Sequence, residues 1–279
     1  MPETLRTETE DGVREIVLSR PEAYNTINLA LRDELSAALD EADADDSVKV
    51  ILLRAEGRAF CAGYDLGWST EAQAAVDSQR VWDSIADMRE IGSFVDVFAK
   101  LWDGRKPSVA AVQGWCVAGG TDLVMCADLI VAADNASFGY PPARVWGTPT
   151  TAMWTHRLGF QQAKRYLLTG DEIPAEEAVR IGLALEVVPA AELEERAREL
   201  ARRIARLPLN QLIMLKTLCN QPAEASLKEG RRLGVLFDGI ARHTQEGLDF
   251  VARASEIGFR EAVRERDDPF GDYGSRARD

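Results

Sequence analysis

Apolar and polar positions divide the chain into short strands and helices from its start. Thr4 to Glu10 and Val13 to Leu18 flank Asp11-Gly12, a turn dipeptide, and predict a β-hairpin. Leu29, Leu31, Leu35, Ala38 and Leu39 recur at helical spacing, with Asp33, Glu34 and Asp40 turned to solvent. Val48 to Leu53 is an apolar, β-branched run of the kind a buried parallel strand requires. From Thr70 to Trp102 a helix is predicted, its apolar face carrying Val81, Trp82, Ile85, Met88, Ile91, Phe94, Val95, Phe98 and Leu101. Pro107 breaks that pattern, and Ser108 to Val112 and Asp128 to Ala133 read as strands. Gln161 to Leu168, Ala175 to Ile181 and Ala190 to Arg206 read as helices, Leu183 to Val188 as a strand, and Pro208 opens a part rich in helix formers through Arg266. Strands alternating with helices at this spacing favour right-handed β-α-β units over an all-β fold.

Composition narrows the class. With 279 residues, 46% of them hydrophobic, the chain can bury the core of one large domain. No apolar run approaches the roughly 20 residues that span a bilayer, and Met1-Pro2-Glu3-Thr4 lacks the basic and apolar regions of a signal peptide, so a cytoplasmic enzyme is expected. A formal charge of −13 argues against nucleic acid or an anionic membrane as partner. Cys61, Cys116, Cys126 and Cys219 form no Cys-x-x-Cys pair and are expected to be reduced and buried. There is no internal repeat, and the polar end, Gly271 to Asp279, is expected to be disordered.

Two stretches carry the candidate chemistry. Phe60-Cys61-Ala62-Gly63-Tyr64-Asp65-Leu66 and Val112-Gln113-Gly114-Trp115-Cys116-Val117-Ala118-Gly119-Gly120-Thr121-Asp122-Leu123 each read as a strand end running into a glycine turn. The second opens a helix whose first turn contains Gly119, Gly120 and Asp122. A helix start has unpaired N–H groups and about half a positive charge, so it can hold a developing oxyanion; plain packing is the alternative. No Gly-x-Ser-x-Gly elbow, Walker loop or His-Glu-x-x-His helix is present, so neither nucleotide hydrolysis nor a metal site is expected.

Together, the two stretches resemble the crotonase superfamily (enoyl-CoA hydratase/isomerase), and the resemblance extends over roughly residues 4 to 270. Leu168-Thr169-Gly170 and Ala178-Val179-Arg180-Ile181-Gly182-Leu183 resemble further signatures of that family. The resemblance implies an α/β fold with a spiral core of ββα units, residues 1–206 holding an acyl-CoA site and 207–279 forming a helical trimerisation or lid region. It implies that the amides of Tyr64 and Gly119 polarise the thioester carbonyl, and that the loops containing Ala23, Tyr24, Ala62, Asp65 and Leu66 meet the CoA moiety. No cofactor is implied beyond the coenzyme A that enters with the substrate.

Hydratases of this family use two glutamates. Asp122 matches the first position, and the second falls on Pro142, which cannot transfer a proton. An Asp also stands at the first position in the family's dienoyl-CoA isomerases, whose remaining acidic positions fall here on Pro142 and Thr150. Candidate replacements are Tyr140, Arg144 and Thr150, with alternative roles as a salt bridge at a subunit contact for Arg144 and a helix cap for Thr150. His156 and His243, the only histidines, are expected at the surface or in packing, and Asp65 as a loop hydrogen-bond acceptor. The leading expectation is hydration of a 2-enoyl-CoA in fatty-acid metabolism. Enoyl- or dienoyl-CoA isomerisation, hydrolysis, and acyl-CoA binding without catalysis are the alternatives. A homotrimer or dimer of trimers is implied by the family. It would suit the apolar content of Leu207 to Phe237, carried by Leu209, Leu212, Ile213, Leu215, Leu218, Leu233, Leu236 and Phe237.

Overall fold

The computed structural model describes residues 4–65 and 82–273. It opens on the expected hairpin: β1 (Leu5–Glu10) and β2 (Val13–Leu18) pair antiparallel across Asp11 and Gly12, both with positive φ, as a type I′ turn requires. Helix α1 (Leu29–Ala44) begins at Asn28, whose side chain accepts from the Leu31 amide at 2.9 Å. Asp33 and Asp40 face solvent as expected. Glu34 instead turns back to accept from the Thr4 amide and hydroxyl, which tethers the start of the hairpin.

The strands then alternate between two sheets. β3 (Val50–Ala55), β5 (Ser108–Val112), β7 (Leu129–Ala133) and β10 (Glu186–Val188) extend the hairpin into a six-stranded sheet of order β1-β2-β3-β5-β7-β10, parallel beyond β2. β4 (Ala59–Cys61), β6 (Trp115–Val117), β8 (Ser137–Gly139) and β9 (Ile173–Pro174) form the second sheet in that order. Each turn of the chain thus lays one strand in each sheet and then a helix: α2 (Ser84–Asp103) after β3 and β4, α3 (Gly119–Met125) after β5 and β6. This is the ββα spiral expected. The feed into the second glycine turn is two strands rather than one, because the chain leaves the first sheet at Gln113-Gly114 and joins the second.

The apolar runs lack polar alternation because both faces of the first sheet are covered. Ile51, Leu53, Ala110, Val112, Ile130 and Ala132 point into the main core with α1 and α2, while Val50, Leu52, Val109, Ala111 and Val131 point the other way onto α6 (Leu193–Ala205). Ala197, Ala201 and Ala205, four residues apart, let that helix lie close to the sheet.

Helix α4 (Met153–Thr169) starts before the expected Gln161 and is broken at Gly159, where φ is 71° and ψ is 166°. α5 (Ala175–Arg180) stands as expected, whereas the strand expected over Leu183 to Val188 is confined to β10. The remaining helices are α7 (Leu209–Asn220), α8 (Glu224–Arg242), α9 (Gln245–Ile257) and α10 (Phe259–Asp267). The expected helix over Thr70 to Trp102 lies partly outside the described residues; in α2, Ile91, Phe94, Val95, Phe98 and Leu101 are buried, but Ile85 is 53% exposed. Cys61, Cys116 and Cys126 are buried thiols, whereas Cys219 is exposed, on the outer face of α7. Of the tail expected to be disordered, Tyr273 is buried and packs near Phe138; residues 274–279 lie outside the described part.

Candidate active site

The parallel pairing of β4 with β6 sets the two glycine turns side by side. Tyr64 follows β4 and pairs with Ile27 as an isolated bridge: the Ile27 amide donates to Gly63 O at 2.8 Å and the Asp65 amide to Ile27 O at 2.9 Å. In such a bridge successive amides point to opposite sides, so the Tyr64 N–H is turned away from Ile27. β6 ends at Ala118, which adopts φ 53° and ψ −123°, a conformation normally left to glycine, and thereby starts α3 abruptly at Gly119. A Cβ on Gly119 would lie 2.9 Å from the Tyr64 ring, and one on Gly120 2.3 Å from Cys61 O, so only glycine allows this approach. Neither the Tyr64 nor the Gly119 amide has an acceptor among the described residues.

One helical turn further on, Asp122 is fully buried. The amide and hydroxyl of Thr150 both donate to its Oδ2 at 3.0 Å, and the hydroxyl of Thr151 donates to Oδ1 at 3.1 Å. Burial outweighs these three donors and pushes the carboxyl up to about 7, with the charge of Asp238 acting in the same direction. The Asp122 side chain therefore does not cap its own helix. Nor does Thr150 cap α4, which begins after Ala152; its hydroxyl is spent on Asp122.

Two tyrosines flank the carboxylate. Tyr64 packs edge-on to Phe94 with ring centroids 5.4 Å apart, and its hydroxyl is sealed from solvent beside Thr150, with no hydrogen bond of normal geometry among the described residues. Tyr140 is buried against Trp154 and donates to Thr148 O at 2.8 Å. Burial first, then the Asp122 and Asp238 carboxylates, raise both phenols well above their ordinary range, so both keep their protons.

The loop residues expected at the CoA moiety assemble at the outer edge of these turns. The Ala62 amide donates to Tyr24 O at 3.0 Å, and Ala23 ends the 3-10 turn Pro21–Ala23. Asp65 pairs with Arg20 at 3.1 Å, as an acceptor in the loop. Buried Asn25 fixes this corner by donating to Glu56 O and Ala59 O and accepting from the Arg20 amide. Leu66 lies outside the described residues.

Sequence reasoning missed Asp238. It reaches the site from α8, where it accepts from the Thr148 amide at 3.1 Å. The signal was present: Gly230, Gly234 and Asp238 are spaced four apart on one face of a helix. A Cβ on Gly230 would lie 2.6 Å from Ala152 Cβ, and one on Gly234 2.6 Å from Pro149 O. The glycines let α8 press against residues 148–152, and Asp238 continues their stripe.

Arg144 forms salt bridges within the chain. Its buried guanidinium donates to Asp267 at 2.9 Å and Asp272 at 2.7 Å and lies 3.9 Å over the Phe270 ring. His156 is exposed, 3.2 Å from Ser226 Oγ, and His243 stacks on Trp82. Among the described residues no group of His, Cys, Asp or Glu is placed to hold a metal ion, and no helix is long and apolar enough to cross a membrane.

Known proteins share this architecture. The crystal structure of an enoyl-CoA hydratase from Mycobacterium smegmatis superposes with a TM-score of 0.91 at 45% identity, covering 98% of this chain and 96% of that one. A crystal structure of an enoyl-CoA hydratase/isomerase from Xanthobacter autotrophicus Py2 gives a TM-score of 0.88 at 28% identity, covering 96% and 99%. A carnitinyl-CoA dehydratase of Proteus mirabilis is 34% identical over 257 residues, 89% of this chain and 94% of that relative. Residues 8–250 match the family described as enoyl-CoA hydratase/isomerase, and the chain belongs to that family.

Proposed function

We propose that this protein adds water across the double bond of a 2-enoyl-CoA in fatty-acid metabolism, with the amides of Tyr64 and Gly119 as the oxyanion hole and Asp122 as an acid/base group. One observation carries the reading: a fully buried carboxylate, raised to about 7, lies one helical turn from two amides that have no acceptor among the described residues. The thioester carbonyl oxygen, held by the two N–H groups, would accept the negative charge that develops as the double bond is attacked. Asp122, still partly protonated at neutral pH, then supplies the proton for the α-carbon, and Thr150 and Thr151 hold it in position. The names of the relatives, hydratase and dehydratase, describe the two directions of such a reaction on CoA thioesters. So written, the reaction draws on no cofactor; coenzyme A arrives with the acyl group. A cytoplasmic protein is proposed with it.

A second reading rests on Pro142. With one carboxylate, Asp122 could carry a proton from one carbon of the acyl chain to another, which is an isomerase reaction and consumes no water. Incubation with a panel of enoyl-, dienoyl- and β-dicarbonyl-CoA esters, followed by mass spectrometry, separates the two: hydration adds the mass of water and isomerisation adds nothing. Hydrolysis would release free CoA. Binding without product from any ester would refute both leading readings and leave a non-catalytic acyl-CoA-binding protein.

The assembly proposed is a homotrimer or dimer of trimers, with residues 207–279 as the trimerisation and lid region. Leu218 at 70%, Met214 at 53%, Leu233 at 49% and Phe237 at 47% exposure form an apolar surface on α7 and α8 that a monomer would leave in water. A monomeric mass by light scattering at micromolar concentration would refute it.

A further inference from the structure

We propose that Asp238 is a second acid/base group of this site, standing in from α8 for the carboxylate that Pro142 lacks. The inference rests on the hydration reading above and deepens it. Three observations place the group. A Cβ built on Gly147 would lie 3.3 Å from Pro142 Cβ, 3.4 Å from Asp238 Oδ1 and 3.9 Å from the Tyr140 hydroxyl, so the carboxylate and the proline face the same small volume, left open because residue 147 has no side chain.

The second observation is the irregular segment that links the carboxylates. The Thr148 amide donates to Asp238 and the Thr150 amide to Asp122, and amides two residues apart in extended chain are separated by at most about 7 Å. The donors to the two acids thus come from one short segment of chain. The third is the Tyr64 hydroxyl, fully buried where it senses both carboxylates and Thr150, with no hydrogen bond of normal geometry among the described residues.

The step balances as follows. Asp238, with Arg242 Nε 3.7 Å from its Oδ2, in its ionised form takes one proton from water while the water oxygen bonds to the β-carbon. The π pair moves through the α-carbon onto the thioester oxygen at the Tyr64 and Gly119 amides. As the enolate collapses, the α-carbon takes the proton carried by Asp122. The proton gained by Asp238 leaves to bulk water and Asp122 is reprotonated, so one water is consumed and no charge remains. Burial and the Asp87 charge raise Asp238, and Arg242 and the Thr148 amide oppose them. The groups facing it are Arg242 on its own helix, Asp87 on α2, Asp122 on α3 and the hydroxyls of Tyr64 and Tyr140. His243 lies beyond, stacked on Trp82.

The test is Asp238→Asn, which keeps the acceptor for Thr148 but cannot take a proton, assayed with the enoyl-CoA that wild type hydrates fastest and, for binding, with saturated butyryl-CoA. Turnover is expected to fall by at least about 10²-fold, with butyryl-CoA affinity unchanged within about threefold, and the acidic limb of the pH–rate profile should disappear. Asp238→Glu should restore the limb. Wild-type turnover in Asp238→Asn, or a fall that leaves the shape of the pH profile unchanged, overturns the inference. Should Asp238→Asn not fold, Arg242→Gln replaces it: loss of the cation should move the acidic limb upward, and an unmoved limb overturns the inference. If wild type hydrates and Asp122→Asn does not, while Asp238→Asn does, only the role of Asp238 fails. If wild type hydrates no enoyl-CoA, the hydration reading fails and the role of Asp238 with it.

Discussion

Replacing Asp122 by Asn should make the protein more stable at pH 8 while disabling it. In the unfolded chain the carboxyl titrates near 3.8; in the native site burial holds it near 7. Between those values the native state keeps a proton that the unfolded state has released, so stability falls as pH rises from about 4 to about 7 and is level above that. Three pKa units at 1.36 kcal/mol each set the penalty at about 4 kcal/mol, an upper figure because the native site relaxes. Asn carries no such penalty, and it fits the donors: its oxygen can face the Thr150 amide and hydroxyl, and its NH₂ can donate to a rotated Thr151 hydroxyl. Urea unfolding of both proteins at fixed concentration, followed by tryptophan fluorescence from pH 5 to pH 8, gives the comparison. Asp238 contributes to both curves, and because its charge acts on Asp122 their difference includes the coupling between the two. The variant should gain on wild type by up to about 1.4 kcal/mol per pH unit until pH 7. Curves that stay parallel within about 0.5 kcal/mol would refute both the raised carboxyl and its cause.

The same Asp122→Asn protein should turn over enoyl-CoA about 10²–10⁴-fold more slowly than wild type, and wild-type turnover in the folded variant would remove Asp122 as the acid/base group. Gly120→Ala would push a methyl to within 2.3 Å of Cys61 O and must separate α3 from β4, so thermal stability and turnover should fall together; a folded, active variant would contradict the close approach of the two turns. Lys216, buried on α7, donates to Leu101 O, Lys106 O and Asp128. Lys216→Met should cost about 3–5 kcal/mol by chemical denaturation, with butyryl-CoA affinity retained in the folded fraction.

The first sheet was readable because its strands are buried on both faces, which leaves runs such as Val109 to Val112 without polar interruption. The second sheet was not. β4, β6 and β9 are three residues or fewer, too short for a period of two to show, and their identity comes from pairing within the sheet. At the site, the glycine turns and Asp122 were legible because close backbone approach demands glycine. The partners of Asp122 were not: Thr150 and Thr151 lie in irregular chain, where only contact reveals what a hydroxyl serves. The intrachain partners of Arg144 were not legible, because its acceptors, Asp267 and Asp272, lie in or beside a tail whose polar composition resembles disorder.

That tail has a consequence for the order in which the protein comes into being. A ribosome that has released residues 1 to 230 has already made both glycine turns, Asp122 and Arg144. The buried guanidinium of Arg144, near Pro142, by then has Asp171 at 3.8 Å but still lacks its closer acceptors, Asp267 and Asp272. A nascent chain lacking them holds that cation with one longer ion pair in place of three, so residues made late settle a part of the chain translated long before them.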